Sequence, residues 1–232
     1  MAEVAGALNQ PLILGAWMTR LWVLTTRPSM RVRATNDVDI GFEPAVGYVE
    51  RARATLEDKG YVQDAGEYRF RFSRMTAAGV LIVDLLIDQD RASGLEPALP
   101  VFGVSAAAQS TADVSLRIAG VGQCEVRVPT LDGAFLLRAL ALTGGSGDLK
   151  FDDYAADAAA LAQLLVERDE FLRRWSARRG KEVAAARAIA LPLFDTPNSP
   201  GSLAASRRDS RDTALSARRI SATFHELLDA AS

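Results

Sequence analysis

The chain has 232 residues, 49% of them hydrophobic, enough for one good-sized core and a smaller second lobe; its 27 Lys and Arg against 29 Asp and Glu leave a formal charge of -2, a balance that does not advertise a nucleic-acid binder. No apolar run approaches the roughly 20 residues that cross a bilayer, and the start Met1-Ala2-Glu3 lacks the basic opening of a secretory signal, so a cytoplasmic protein without a membrane partner is expected. Cys124 is the only cysteine and His225 the only histidine, which excludes an internal disulfide and a zinc site of the Cys/His kind and disfavours a histidine-dependent hydrolase.

In chain order, an N-terminal helix leads into Pro11-Leu12-Ile13-Leu14-Gly15-Ala16-Trp17, which reads as a short strand turning at Gly15 into a helix that runs to about Thr26. Such a junction exposes backbone N-H groups at the positive end of a helix dipole, where a phosphate can be cradled. The construction is common and says little alone. The next segment, Arg33-Ala34-Thr35-Asn36-Asp37-Val38-Asp39-Ile40, reads as a strand. Alternation puts Asp37 and Asp39 together on one face and Val38 and Ile40 on the other, toward an apolar layer. Two like charges so close call for a cation, and magnesium, a hard ion that binds through one or two carboxylates plus substrate phosphates, is the natural candidate.

An amphipathic helix is expected from about Pro44 to Lys59, then strands from Tyr68 to Arg74 and from Val80 to Ile87. Asp84 is the one charge in the buried-looking run Leu81 to Ile87. A lone ionised carboxylate there costs several kcal/mol, so it needs a partner: a metal shared with Asp37 and Asp39, backbone amides at a strand end, or an arginine. Glu96 to Ala108 reads as a loop rich in Pro, Gly and Ala, and Val114 to Ile118 with Glu125 to Val128 as a hairpin, with Cys124 as strand packing.

From Pro129 onward the pattern is helical. Gly144-Gly145-Ser146-Gly147 breaks it as a mobile connector without the Gly-Lys-Ser/Thr of a P-loop. Lys150 and the acids Asp152 and Asp153 open a helix that continues through Leu165; acids at that position are favoured by capping and by the dipole even without a catalytic duty. Arg168, Arg173, Arg174, Arg178, Arg179 and Lys181, with Trp175 among them, form either an RNA track or, the favoured reading, a solvated helix whose arginines pair with Glu167, Asp169 and Glu170. Asp195 to Ser202 reads as a linker. Thr213 to Ala230 has helical spacing, with Leu215, Ile220, Phe224, Leu227 and Leu228 available to pack back on the body or to hold a partner; His225 reads as a surface or interface residue.

A strand ending at Gly15, then Asp37-x-Asp39 on a strand, then Asp84 on a later one resembles the polymerase-beta-like nucleotidyltransferases, and the form Arg33-x-Thr35-x-Asp37-x-Asp39 is similar to the AbiEii toxin family, to which the MenT toxins belong. The resemblance runs from Leu12 to about Leu165. It implies an α/β (α+β) fold: a nucleotidyltransferase core with a mixed sheet of βαβαββ order over 1–128, a helical lobe over 129–194, and a linker with a C-terminal helix over 195–232. It implies Mg2+ as cofactor, held by Asp37, Asp39 and Asp84, and an NTP as substrate. Asp37, Asp39, Asp84, Lys150 and Asp153 would be catalytic, and Gly15, Ala16, Arg33, Thr35 and Arg138 would serve the nucleotide. The acceptor implied is the 3' end of tRNA, with a cognate antitoxin as a possible partner.

Two positions depart from that pattern. Ala16 stands where the superfamily has Gly or Ser, which leaves backbone amides but no hydroxyl for a phosphate. Arg138 stands where it has Lys, keeping the charge and changing the geometry. Two other readings follow: an antibiotic-modifying nucleotidyltransferase, which predicts an acidic pocket for a cationic drug, and a decayed binding or regulatory module, favoured by Ala16 and Arg138 and opposed by the retained acids.

Overall fold

A computed structural model describes residues 8, 10–28, 30, 35–42, 48–77, 79–91, 98–118, 122–144, 150–208 and 216–230. The expected N-terminal helix, Arg33, the helix start at Pro44, Leu215 and the Gly145-Ser146-Gly147 connector lie outside those residues. The chain divides into two compact units, residues 1–18 with 34–129, and residues 19–33 with 130–232.

The first unit is built on one mixed sheet. Its strands are β1 (Leu12–Ile13), β2 (Asp37–Phe42), β3 (Val62–Gln63), β4 (Arg71–Thr76), β5 (Gly79–Asp88), β6 (Leu99–Val101), β7 (Thr111–Ile118) and β8 (Gly122–Pro129). Their order is β3-β4-β5-β2-β1-β8-β7, with β6 beside β5. β2 with β5, β1 with β8 and β5 with β6 run parallel, and the remaining pairs are antiparallel. The chain is therefore α/β with a mixed sheet.

The alternation read from the sequence decides which face of β2 is buried. Val38 and Ile40 are buried, in line with Phe72, Val83 and Leu85 on the neighbouring strands, which commits Asp37 and Asp39 to the opposite face. Helix α1 (Gly15–Thr26) follows β1, and helix α2 (Tyr48–Asp58) buries Val49, Ala52 and Leu56 at helical spacing.

Two expectations in this unit change. The stretch 96–108, expected to be a loop, contains β6 and a short helix, α3 (Val104–Ala108). β5 continues to Asp88, and its last residues pair with Leu99, Pro100 and Val101; Pro100 is tolerated because β6 stands outside the main strand order. Asp88, 4% exposed, then accepts hydrogen bonds from the Ser105 amide at 2.7 Å and the Asp90 amide at 3.0 Å. The hairpin strands are also longer than the apolar runs suggested, because polar residues extend the ladder, as in the 2.8 Å hydrogen bond from Gln123 Nε2 to Ser115 Oγ.

The second unit is helical: the later part of α1, then α4 (Leu131–Leu140), a 3-10 turn at Ala141–Gly144, α5 (Phe151–Val166), α6 (Asp169–Ala177), α7 (Lys181–Phe194), α8 (Pro200–Arg208) and α9 (Ala217–Ala230). Its core is largely leucine and alanine around an aromatic cluster. Phe135 meets Trp175 edge-on at 4.9 Å between ring centroids, and Phe194 stacks on Phe224 at 3.7 Å. The linker expected over 195–202 ends in α8 instead. Pro200 is the first helical residue, where a missing N-H costs nothing. Gly201 serves a close approach, since an added Cβ would lie 2.7 Å from the Leu193 carbonyl oxygen. The C-terminal helix α9 buries Ile220, Phe224, Leu227 and Leu228, so it packs within its own unit. Among the described residues, no helix is long and apolar enough to cross a membrane.

Candidate functional site

Parallel pairing of β2 with β5 sets Asp39 opposite Asp84, and antiparallel pairing of β5 with β4 sets Asp84 opposite Arg71. Residues in register share a face, so Asp39, Asp84 and Arg71 form a row across three strands, with Asp37 two residues along. Asp84 is 7% exposed and is held by Arg71 through Nε to Oδ1 and a terminal nitrogen to Oδ2, both at 2.8 Å. An arginine was among the partners the sequence left open for Asp84, and Arg71 is in that place. The Asp84 hydrogen bonds hold the Arg71 pKa above its usual value against the opposing effect of burial, and the charges of Asp84, Asp37 and Asp64 add to the rise.

Sequence reasoning missed Arg71. The signal was there: a tight turn after Thr76 pairs Thr76 with Gly79, and counting outward from that pair sets Arg71 opposite Asp84. Ending the first strand at Arg74 and starting the second at Val80 hid that register. The Arg71 guanidinium also lies over the rings of Tyr68 and Phe70, at 5.8 and 6.0 Å from their centroids.

The glycine junction comes to the same carboxylates. β1 pairs antiparallel with β2, Leu12 with Gly41 and Ile13 with Ile40, and the Leu14 amide continues the ladder to the Asp39 carbonyl at 2.8 Å. Gly41 makes room for Leu14, since an added Cβ would lie 2.6 Å from Leu14 Cδ1. The next residue, Gly15, has φ +62° and begins α1; an added Cβ there would fall 1.6 Å from Asp39 Oδ2 and 2.5 Å from Cγ. Only a glycine lets the backbone pass that close to the carboxylate. Ala16, 7% exposed, follows in the first turn. Thr35 Oγ1 accepts a 3.2 Å hydrogen bond from the Asp37 amide at the entry to β2.

For magnesium, the donor set that fits is the Asp37 and Asp39 pair, oxygen ligands on one face beside a helix start. Among the described residues no three His, Cys, Asp or Glu side chains form a metal-holding group. Arg71 makes one hydrogen bond to each oxygen of the third acid and leaves each a lone pair, so a cation at this face would be held by the Asp37 and Asp39 pair, with Asp84 in register beside them and the oxygens of whatever binds completing the set.

The later candidates stand in the second unit. Arg138 is 6% exposed; its terminal nitrogen lies 3.2 Å from Asp157 Oδ2 and its guanidinium 5.4 Å from the Tyr154 ring centroid. There the arginine ties α4 to α5. Lys150 precedes α5 and is exposed, and Asp153 is half-buried in the first turn. Asp152 lies 3.6 Å from Arg207.

The basic set near α6 is largely spent on the fold. Arg174 pairs with Glu170 at 2.8 Å, Arg178 pairs with Asp132, and Arg173 donates to the Asp169 carbonyl at 3.2 Å. Trp175 is fully buried with Nε1 donating to the Leu227 carbonyl at 2.9 Å, so it offers no ring for a base to stack on. Cys124 is half-buried in β8, and His225 Nε2 lies 2.7 Å from the Asp195 carbonyl oxygen. No family model, characterised protein or solved structure matches the chain.

Proposed function

We propose that the β2 face of the first unit is a nucleotidyltransferase centre of the polymerase-beta-like kind, and that the chain acts as a toxin of the AbiEii or MenT type, transferring NMP from an NTP to an acceptor hydroxyl, with the tRNA 3' end as acceptor. One observation carries the reading: the glycine that opens α1 lies directly against the Asp39 carboxylate, and Asp39 is in register with Asp84. A helix start attracts phosphate, and a carboxylate in the same place repels it. A divalent cation held by Asp37 and Asp39 would reconcile the two by neutralising the carboxylate charge that a phosphate would otherwise meet.

Magnesium bound by Asp37 and Asp39 would neutralise charge on the phosphate oxygens and orient the α-phosphorus. The protein's own groups do the remaining work. The amides of Gly15 and Ala16 receive the phosphates. The acceptor oxygen attacks the α-phosphorus in line, the bond to the bridging oxygen breaks, and pyrophosphate leaves with that electron pair. Arg71 fixes both Asp84 oxygens in place, and each keeps a lone pair for the acceptor hydroxyl proton. The centre rests on the first unit alone.

The Arg71 pair supports a second reading, a nucleotide-binding module without transferase activity, because the acid assigned to activate the acceptor is already neutralised. Incubation with magnesium, each α-labelled NTP in turn and total bacterial tRNA, comparing the native protein with Asp39→Ala on a denaturing gel, separates the two. Label entering RNA with the native protein only supports transfer to RNA. Absence of label with every NTP removes it, and calorimetry with magnesium and NTP then tests the binding module.

A further inference from the structure

β7 ends the sheet: among the described residues its backbone pairs with β8 alone. It runs for 8 residues, and on its outer side, among the described residues, no strand pairs with its N-H and C=O groups, which leaves a template for another strand. Exposed edges are usually blunted by charged side chains, lysine above all, by proline, by a bulge, by shortness or by a covering element. The sequence Thr111-Ala112-Asp113-Val114-Ser115-Leu116-Arg117-Ile118 contains neither proline nor lysine, and its register with β8 is one-to-one throughout, without a bulge.

Its charges are arranged as a self-complement. Asp113 and Arg117 stand equally far from Ser115, and Val114 and Leu116 flank it. When two such strands run antiparallel with Ser115 opposite Ser115, each Asp113 meets the Arg117 of the other copy, and each Val114 meets a Leu116. Centring the pair on Asp113 or on Arg117 sets like charges opposite each other. A one-residue slip sends the apolar side chains of one copy to the polar face of the other.

The faces agree with this register. Asp113, Ser115 and Arg117 are exposed on one side of β7. Val114 and Leu116 are half-buried on the other, the side where Val126 and Val128 of β8 are fully buried. A second copy would cover the open flanks of Val114 and Leu116 with the same two residues, so that core and ladder both continue across the junction.

We infer that β7 is a homodimer interface: two copies pair antiparallel through β7 about a twofold axis at Ser115 and form one continuous sheet. The contact is isologous, so it closes at two copies and consumes the exposed edge in both.

Sedimentation of the full chain at tens of micromolar, with Arg117→Asp and Asp113→Arg as variants, tests the interface. Both positions are exposed, and circular dichroism checks that each variant folds; Arg117→Glu and Asp113→Lys replace any variant that does not. The native chain is expected to be dimeric, and each variant, with two attractive contacts turned repulsive, to dissociate on the order of 10-fold to 100-fold more readily. An equimolar mixture of the two variants is expected to recover the dimer, since every facing pair is again of opposite charge. A monomeric native chain, a variant that dimerises as tightly as the native chain, or a mixture that stays monomeric each overturns the proposal.

Discussion

Gly15→Ala should couple to Asp39 in a way that a double-mutant cycle can read. The new methyl would lie 1.6 Å from Asp39 Oδ2 and 2.5 Å from Cγ, so the carboxylate must move, and φ of +62° is left-handed backbone that a non-glycine residue resists. The backbone strain costs about 1 to 2 kcal/mol, and forcing a carbon into a filled site adds about 1 to 3 kcal/mol, for a total near 2 to 5 kcal/mol. In an Asp39→Ala background the Oδ2 and Cγ atoms are gone and the nearest remaining contact is the Cβ at 3.0 Å, so the same substitution should cost little more than the strain. Urea unfolding of the four proteins, native, both singles and the double, measures the difference directly. An interaction energy of at least about 1 kcal/mol is expected. Additivity within about 0.5 kcal/mol would refute the close approach of Gly15 to Asp39, and with it the observation that carries the proposed function.

Other consequences are accessible to the same instruments. Arg71→Met leaves Asp84 buried without a cation and should cost about 2 to 3 kcal/mol, below the range for a fully buried pair because the Arg71 side chain is 24% exposed; adding Asp84→Leu should recover most of that loss in urea unfolding. Because the Arg71 pKa is raised, its stabilisation is complete below the unfolded value and is lost only as pH rises through the folded one, so titrating unfolding between pH 6 and about 10 should show no step from this residue. Magnesium with an NTP at about 100 times its Kd should stabilise the native protein by about 2.7 kcal/mol in thermal unfolding and leave Asp39→Ala unmoved. Trp175→Phe keeps the edge-on contact with Phe135 and loses the hydrogen bond to Leu227, with an expected loss of about 1 kcal/mol or slightly more for the reduced ring.

The sequence by itself determined those features that depend on local periodicity. A strand is constrained to alternate, so Asp37 and Asp39 had to share a face once Val38 and Ile40 were buried, and a glycine between a short apolar strand and a helical pattern had to mark the junction at Gly15. The helix face of Ile220, Phe224, Leu227 and Leu228 was legible for the same reason. What lay beyond it was register, packing and competition for partners. Pairing across strands set Arg71 against Asp84, a neighbour that no local pattern around Asp84 reveals. Composition read 195–202 as a linker, yet packing against Leu193 and Phe194 makes a helix of its latter part, because a glycine there permits a close approach. Arg138 and Trp175, both plausible for ligand contact by residue type, are buried among Asp157, Tyr154, Phe135 and Leu227. A side chain's chemistry is written in the sequence, but the group it faces is set by residues far along the chain, and only the tertiary structure brings those together.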